Sequence, residues 1–460
     1  DGKVDAQPLY VSGVMVAGSP HEVAIVATEH DSVYAFDVND GSTLWRVSLL
    51  GPGETTSDPR GCEQVVPEIG VTATPVIDPH AGPDGAIYVV AMSKDDSGQY
   101  HQRLHALDLT SGDELFGGPV DISATYPTAQ GGMTLFDPGQ YEERAALLLL
   151  GGTVYTAWTS HCDAPPYTGW IIGFNQQTLE RTATLDIAPN SQAGPSVWMS
   201  GGGLAADAGG NIYLLAANGA FETTLDAKGF PSGGDFGNSI LRISTTNGLS
   251  VADYFAMSSE VAESDADQDL GSGGVLLLPD LTDASGTVRH LAVGAGKDGN
   301  LYVVSRDSMG GYSPTGDRIW QELDGVFSGG GIYATPAYYD GWLYYGNVGS
   351  TLKAFAITDA KLSGTPASQT STVFGYPGTS PAISANGTTS GIVWACENTD
   401  PAVLYAYDAS DLAKELYDSS QAAGGRDHFG AGNKFITPTI ADGRVLVGTT
   451  NGVGVFGLLH

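Results

Sequence analysis

The densest group of titratable side chains in the sequence is the run Glu29-His30-Asp31. A histidine between two carboxylates can act as a general base. Adjacent side chains of a strand point to opposite faces, so the three groups converge only if the segment is a tight turn. Two interpretations therefore remain: a general-base site, or a run that caps the turn between two strands.

Further candidate catalytic groups lie in segments that lead into strands opening with a Thr-Pro dipeptide. Glu68 precedes one such strand, and His428 and Lys434 precede another. Both segments are expected at the mouth of a channel, so Glu68 with His428 or Lys434 is the predicted catalytic pairing if the protein is an enzyme. The sequence has no phosphate-binding loop, Gly-x-Ser-x-Gly elbow or His-Glu-x-x-His motif, so it indicates no particular reaction.

Positive charge is scarce, because the chain has 19 lysines and arginines against 52 aspartates and glutamates, a net charge of −33. Nucleic acids and anionic membranes both require a basic surface, so the charge argues against both partners. The few cations in loops predicted on one face could attract a negatively charged or hydroxyl-rich ligand. These cations are Lys94, Arg103, Lys297, Arg426 and Lys434. In the alternative interpretation, each of them neutralises a neighbouring carboxylate.

Aromatic side chains are concentrated in the same predicted loops, together with amides and carboxylates. Such a mixture suits sugars, whose faces are apolar in the middle and hydroxylated at the rim. The predicted ligand-binding residues are Glu29, His30, Arg103, His161, Trp170, Trp198, Asn218 and Lys297. The alternative is that the aromatic residues only pack the enlarged loops.

Three aspartates at alternate positions, Asp265, Asp267 and Asp269, precede Gly271. Alternate oxygen ligands before a glycine resemble the start of a calcium-binding loop. The glycine comes one position late, and no glutamate follows six residues after it. The sequence thus suggests calcium as a cofactor, with a solvated acidic turn as the alternative.

The chain has three cysteines, too few for a disulfide scaffold and too widely spaced for a zinc knuckle. Cys62 and Cys162 lie in enlarged loops and are predicted to form a disulfide, which would place the protein in an oxidising compartment, secreted or periplasmic. Cys396 follows an apolar strand and is predicted to be a buried free thiol. The alternative is three reduced thiols.

No apolar run is long enough for a membrane-spanning helix, so membrane insertion is not expected.

Composition and repeats indicate the elements that position these groups. The 64 glycines, 24 prolines and 21 tyrosines are typical of many short strands joined by tight turns. A unit of four strands, with an Asp-Gly or Asn-Gly turn and an Ala-x-Asp strand end, recurs eight times. Radially repeated four-stranded units form a β-propeller. The predicted fold is all-β, a single eight-bladed β-propeller of four-stranded antiparallel blades forming one domain, residues 1–460.

Two details of the repeat are less regular. In the fifth unit, residues 300–304 are predicted as the second strand. The last unit, residues 435–459, has only three strands, so its fourth strand must come from residues 1–6 or be missing.

The run Ala35-x-Asp37 with Gly41 and Trp45 resembles the repeat of pyrroloquinoline quinone (PQQ)-type eight-bladed propellers. The chain as a whole is similar to secreted PQQ-binding-like propeller proteins. That likeness is carried by the runs at 27–37, 103–108 and 271–275. In the family, the tryptophan docks one blade on the next. The vicinal cysteine pair of PQQ-dependent alcohol dehydrogenases and a haem-attachment motif are both absent, which argues against PQQ as a cofactor.

Several functions remain open from the sequence. The leading hypothesis is a secreted, monomeric propeller whose loop-rich face forms a funnel for a small polar ligand or a glycan. The same face could instead carry a carbohydrate-active lyase or hydrolase, or a PQQ-dependent dehydrogenase. The third hypothesis is a non-catalytic scaffold for protein interactions.

Overall fold

The computed structural model describes residues 1–327 and 329–458, and it confirms the predicted propeller. Eight antiparallel sheets follow one another along the chain, each with its strands in sequence order. The first strands of neighbouring blades contact one another, which places them around the axis of the ring. In seven blades, a fourth strand forms the outer edge.

The first four blades have regular second and third strands and variable outer strands. Blade 1 comprises Leu9–Val16, Ser19–Thr28, Ser32–Asp37 and Thr43–Ser48. Blade 2 comprises Val76–Asp78, Ala86–Asp95, Tyr100–Asp108 and Val120–Asp121. Blade 3 comprises Leu148–Leu150, Thr153–Ser160, Trp170–Asn175 and Arg181–Asp186. Blade 4 comprises Ala205–Ala206, Asn211–Leu215, Ser239–Ser244 and Ser250–Ala256.

The other four blades complete the ring. Blade 5 comprises Leu276–Leu277, Leu291–Ala295, Leu301–Ser305 and Gln321–Leu323. Blade 6 comprises Ala337–Tyr339, Trp342–Gly346, Ser350–Thr358 and Ser368–Phe374. Blade 7 comprises Ala382–Asn386, Thr389–Glu397, Val403–Asp408 and Asp411–Asp418. Blade 8 has three strands, Thr439–Ala441, Arg444–Gly448 and Val453–Phe456.

The remaining elements lie in or beside the connections. Three short strands, Glu54–Thr56, Tyr141–Glu143 and Lys361–Leu362, extend blades 2, 3 and 6. Two small hairpins pair Thr125–Pro127 with Met133–Leu135 and Leu281–Thr282 with Val288–Arg289. The α-helix Glu260–Asp265 and the 3₁₀ turns Leu270–Ser272 and Ala423–Gly425 are the helical segments of the described chain.

The assignment of residues 300–304 to a second strand was wrong. Leu301–Ser305 is the third strand of blade 5, and Leu291–Ala295 is the second. The inserted hairpin Leu281–Thr282/Val288–Arg289 lengthens the connection before the second strand. The Asp-Gly turn at Asp298 therefore joins strands two and three, whereas the repeat places such turns between strands one and two.

In the described residues, the ring closes without a fourth strand in blade 8. Residues 1–8 form no outer strand, but they run between blade 8 and blade 1. The Val4 amide donates to the carbonyl of Thr449 in blade 8 (3.0 Å), and Lys3 accepts from the amide of Glu29 in blade 1 (2.9 Å). Leu459, at the predicted end of the last unit, lies outside the described residues.

The hydrophobic core lies between neighbouring blades. Alternating apolar residues of the second and third strands face the adjacent sheet, as Val23 and Ile25 of blade 1 and Val89 of blade 2 do in one buried cluster. Trp45 of blade 1 also links these two blades, because its indole Nε1 donates to the carbonyl of Leu109 in blade 2 (3.2 Å). Stacked blades bury both faces of each sheet, so the loops at the ends of the strands remain free to carry function.

Candidate functional site

Two sets of loops share one face of the propeller: the turns between strands two and three, and the connections that lead into each first strand. In blade 1, for example, the amide of Val71 from the second set donates to the carbonyl of Thr28 beside the first set (3.2 Å). All the residues predicted as site residues lie in these loops or at strand ends next to them. This loop-rich face is therefore the candidate functional surface.

A glycine-rich loop, residues 199–203, spans the centre of this face. The carbonyl of Gly201 accepts from the hydroxyl of Thr437 in blade 8 (2.7 Å), and the carbonyl of Gly202 accepts from the amide of Ala146 before blade 3 (2.9 Å). A Cβ atom on Gly202 would lie 2.1 Å from Oγ1 of Thr335, which leads into blade 6. Because one loop meets three blades, it crosses the axis, and only glycine fits there.

Two cations lie beside this loop, close to the axis. Arg144 is buried, and its guanidinium lies 4.5 Å from the ring centre of Phe435 and 3.4 Å from a Glu142 carboxylate oxygen. Lys434 is half-buried, and its Nζ donates to the side-chain oxygen of Gln64 (3.0 Å). In the described part of the chain, Lys434 forms no ion pair.

Burial lowers the pKa of Lys434, and the positive charges of Arg144 and Lys3 lower it further. Asp5 and Glu142 act in the opposite direction, but more weakly. A lysine destabilised by neighbouring cations would gain from an added negative charge. The centre of the face is thus locally positive in a protein whose net charge is −33.

The space beside these cations is small and mostly polar. A cavity of about 20 Å³ is lined by Arg144 and Lys434, by the carboxylate of Asp5, which pairs with Lys3 (3.5 Å), and by three threonines, Thr72, Thr74 and Thr437. A second cavity of about 10 Å³ lies on the other side of Phe435. Each has room for roughly one water-sized group. A ligand here would therefore insert one small group and lie over the surface with the rest.

The three side chains of Glu29-His30-Asp31 do not converge, although the segment is a tight turn between strands two and three of blade 1. The carboxylate of Glu29 accepts from the amide of Gly70 (2.8 Å) and the hydroxyl of Thr72 (3.1 Å). The ring of His30 faces Glu68 instead. Asp31 is buried, with both carboxylate oxygens unpaired by hydrogen bonds in the described structure.

Both carboxyl groups of this turn have a raised pKa. Burial raises the pKa of Glu29 well above its usual range, and the neighbouring Asp5 carboxylate raises it further. Burial likewise raises the pKa of Asp31, with smaller contributions from Glu68 and Glu54. These groups link loops of blades 1 and 2, which agrees with the capping interpretation of the run.

The three predicted catalytic groups have different partners. Glu68 is bound by Nδ1 of His30 (3.0 Å) and by the hydroxyl of Thr56 (2.7 Å). The imidazole of His428 is exposed beside Gly425, whereas Lys434 lies at the axial cations described above. Of the three, only Lys434 lines a cavity at the axis.

Three predicted ligand-binding residues are engaged within the protein. Arg103 makes two contacts of 2.7 Å to the Glu54 carboxylate and a third, of 2.8 Å, to Asp121. His161 is buried with its Nδ1 3.4 Å from Glu142, and Trp170 is fully buried in the core of blade 3. The ion pairs of Arg103 agree with the alternative that the cations neutralise neighbouring carboxylates, and the burial of Trp170 agrees with the alternative that the aromatic residues only pack.

The acidic run and two other predicted ligand-binding residues form one network. Lys297 Nζ lies 2.9 Å from Asp267 and 2.6 Å from Asp269. The backbone amide of Asn218 donates to Asp269 (2.7 Å). Asp265 ends the α-helix, and Trp198 is partly buried beside the glycine loop. A calcium ion at the three aspartates would have to displace the ammonium group of Lys297.

No group of three or more His, Cys, Asp or Glu side chains is arranged to hold a metal ion in residues 1–327 and 329–458. Calcium at the acidic run stays a prediction.

The predicted disulfide is confirmed. Cys62 and Cys162 are bonded, with their Cα atoms 5.5 Å apart and a sequence separation of 100. The bond links the loop between blades 1 and 2 to a loop of blade 3. Cys396 is free and buried, as predicted, and burial raises the pKa of its thiol to about 12.

Sequence reasoning placed residues 198–201 on the loop-rich face, but it missed Arg144, Phe435 and the crossing of the axis by the glycine loop. Arg144 lies two residues before the predicted start of the third unit, the same kind of position that pointed to Glu68. That alignment could have identified it. The crossing of the axis by residues 199–203 left no comparable signal, because a glycine run is equally typical of any loop.

Comparison with known proteins supports the fold alone. No family model matches the chain, and no curated protein matches it. A quinohemoprotein alcohol dehydrogenase from Comamonas testosteroni has a similar structure, with a TM-score of 0.60, 15% identity and coverage of 98% of this chain and 71% of that one. The enzyme ADHIIG from Pseudomonas putida HK5 is similar to the same extent, with a TM-score of 0.60, 14% identity and coverage of 98% and 71%. A europium-containing methanol dehydrogenase matches with a TM-score of 0.51, 13% identity and coverage of 96% and 85%.

The residues at the axis do not fit PQQ. The axial cavities have volumes of about 10 and 20 Å³, whereas pockets that enclose ligands of cofactor size measure several hundred Å³. The vicinal cysteine pair of the PQQ-dependent alcohol dehydrogenases also has no counterpart, since Cys62 and Cys162 join two loops and Cys396 is single.

Within residues 1–327 and 329–458, no helix is long and apolar enough to span a membrane.

Proposed function

We propose that the protein is a secreted, monomeric, non-catalytic binding protein for a small anionic ligand, such as a sugar acid, held over the axis of the loop-rich face. The juxtaposition of Arg144 and Lys434 carries this proposal, because two cations meet beside a polar cavity in a strongly acidic protein. A carboxylate placed between them would gain charge-assisted hydrogen bonds from both. Secretion is supported by the disulfide between Cys62 and Cys162.

The size of the cavity favours a ligand with one compact anionic end. A carboxylate could reach Lys434 Nζ and the nearby threonine hydroxyls, while a hydroxylated ring remained outside. The half-exposed ring of Phe435 offers an apolar surface to such a sugar ring. The ligand class is thus a small polar molecule or the acidic end of a glycan, recognised mainly by its charge.

Calorimetric titration with D-glucuronate and D-glucose tests this proposal, because the two sugars differ in the carboxylate. We expect glucuronate to bind and glucose not to bind, with affinity falling as the salt concentration rises. Lys434→Met should weaken glucuronate binding about 10- to 100-fold, the usual effect of losing one charge-assisted hydrogen bond. Lys228→Met is the matched control, since Lys228 is exposed and forms no ion pair in the described chain. Equal binding of the two sugars, or an unchanged affinity in Lys434→Met, would contradict the proposal.

A further inference from the structure

A groove of about 400 Å³ lies where the ring closes, between blade 8 and blade 1. It is far larger than the axial cavities and more apolar. Its floor and walls include Val4, Ala24, Val26, Phe36, Val453 and Val455. The groove shares no lining residue with the axial cavity that holds Arg144 and Lys434, so the proposal made for it does not rest on the proposed function.

The groove lies where an outer strand of blade 8 would run. In blade 1 the third strand, Ser32–Asp37, pairs with the outer strand Thr43–Ser48. Among the described residues, the third strand of blade 8, Val453–Phe456, pairs only with the second strand, Arg444–Gly448, and no strand pairs with its other edge. Val455 is 45% exposed at that edge. A free strand edge beside an apolar groove is suited to pairing with another extended chain.

Elsewhere in the ring, an outer strand docks on the next blade through a tryptophan. Trp45 of blade 1 lies against Gly112 of blade 2, where a Cβ atom would be only 2.8 Å from the indole ring. Its Nε1 donates to the carbonyl of Leu109 (3.2 Å). Trp320 of blade 5 likewise donates to a carbonyl of the next blade, that of Ala360 in blade 6 (2.7 Å), although Ala360 lies in a different turn, three residues beyond the position that corresponds to Leu109. In both cases the next blade provides a carbonyl that accepts from the indole. In blade 2 it also provides a glycine, whose lack of a side chain leaves room for the indole ring.

Blade 1 has a turn of the same geometry as the turn of blade 2 that contacts Trp45, but no tryptophan of the described chain lies against it. The amide of Gly41 donates to the carbonyl of Asp37 at 2.8 Å, as the amide of Gly112 does to Asp108 at 2.8 Å in blade 2. By this alignment, Val38 corresponds to Leu109 and Gly41 to Gly112. Both Val38 and Gly41 line the groove, and no atom lies within 4 Å of a Cβ position on Gly41. The socket for an indole is therefore formed without an indole in it.

The residues of the groove limit which kind of chain can bind there. A second copy of this chain does not supply the indole, because none of the seven tryptophans is exposed and each lies within its own ring. Asp40, at the rim, is exposed and forms no ion pair with any described residue. The other two rim carboxylates are paired, Asp1 with Arg46 (2.6 Å) and Asp37 with His21 (2.7 Å), so Asp40 is the carboxylate that favours a basic residue beside the indole.

We propose that this groove binds an extended peptide strand of a partner protein, which carries a tryptophan with a neighbouring basic residue. The strand pairs with Val453–Phe456 and places its indole on Gly41, with Nε1 donating to the carbonyl of Val38. It thereby completes blade 8 as the fourth strand does in the other seven blades.

The probe for this proposal is the fluorescein-labelled peptide Thr-Leu-Trp-Arg-Val-Ser, the sequence of the outer strand Thr43–Ser48. We expect it to bind the 1–460 chain in an anisotropy titration, and we expect the peptide with alanine for tryptophan to bind about 10-fold more weakly or worse. Binding should also protect the amides of Val453–Phe456 from hydrogen exchange. Equal binding of the two peptides, or no protection of these amides, would overturn the proposal.

Variants of the groove provide the controls. Gly41→Leu should fill the socket and abolish binding, whereas Gly18→Leu, at an equally open positive-φ glycine in another turn of blade 1, should not. Val455→Glu offers a second disruption on the exposed strand edge, where folding is not at risk. Unchanged binding in both groove variants would refute the proposal.

Two further outcomes would assign the groove to a different occupant and so overturn the partner strand. One is a concentration-dependent dimer that is lost in Gly41→Leu, which would indicate a second copy. The other would come from comparing the recombinant 1–460 chain with the protein isolated from its natural source. If only the recombinant chain binds the peptide, the groove of the natural protein is occupied by a strand of the protein itself.

Discussion

Asp186, at the end of the outer strand of blade 3, should make the protein less stable as the pH rises. Its side chain is buried, and its oxygens accept from the amide of Ala188 and the hydroxyl of Thr168, both at 2.9 Å. No cation contacts it in the described structure. Burial is the main cause that raises its pKa to about 7, and the nearby Asp235 adds to the shift.

The sign and size of the effect come from proton linkage. In the unfolded chain the pKa is about 3.9, so the folded state holds the proton more tightly. The contribution of Asp186 to stability is therefore fully present below pH 4 and is lost as the pH rises towards the folded pKa of about 7. At about 1.4 kcal/mol per pKa unit, ionising Asp186 costs about 4 kcal/mol above pH 7, of which about 3 kcal/mol is lost between pH 5 and pH 8.

Urea unfolding at pH 5 and pH 8 measures this difference. In Asp186→Asn the amide can keep both hydrogen bonds, because the Thr168 hydroxyl can also accept, but it cannot ionise. We expect the change in unfolding free energy between the two pH values to be about 3 kcal/mol smaller in this variant than in the unmodified chain. Asp84→Asn, at an exposed turn, is the control and should change nothing. An unaltered pH dependence in Asp186→Asn would refute the reasoning.

Three further predictions concern stability. Reducing the Cys62–Cys162 bond, which closes a loop of 100 residues, should lower the unfolding free energy by up to about 4.7 kcal/mol, and the denatured chain should show one reactive thiol before reduction and three after it. Gly202→Ala should cost about 1–3 kcal/mol through its clash with Thr335, and Thr335→Ala in the same chain should recover part of that loss in a double-mutant cycle. Calcium should raise the melting temperature reversibly with chelator, but not in Asp267→Asn, and no shift in the unmodified chain would refute the calcium site.

The sequence by itself determined the features that repeat. Alternating apolar residues, Asp-Gly turns and the Ala-x-Asp strand ends occur in unit after unit, and each depends only on local backbone geometry and on burial against the next sheet. The disulfide could be predicted as well, because the repeat alignment placed Cys62 and Cys162 in loops on one face. Blade 5 shows the limit of this reasoning: an inserted hairpin shifted the turn by which its second strand was assigned.

Only the tertiary structure decided which non-repeating residues meet. Arg144 and Lys434 are 290 residues apart in sequence and come together because the ring places their loops at the axis. The crossing of the axis by residues 199–203 and the open socket at Gly41 also depend on how blades from distant parts of the chain are arranged. Such contacts result from ring closure, which depends on all eight blades together. No local sequence pattern encodes which loops of different blades face each other across the axis.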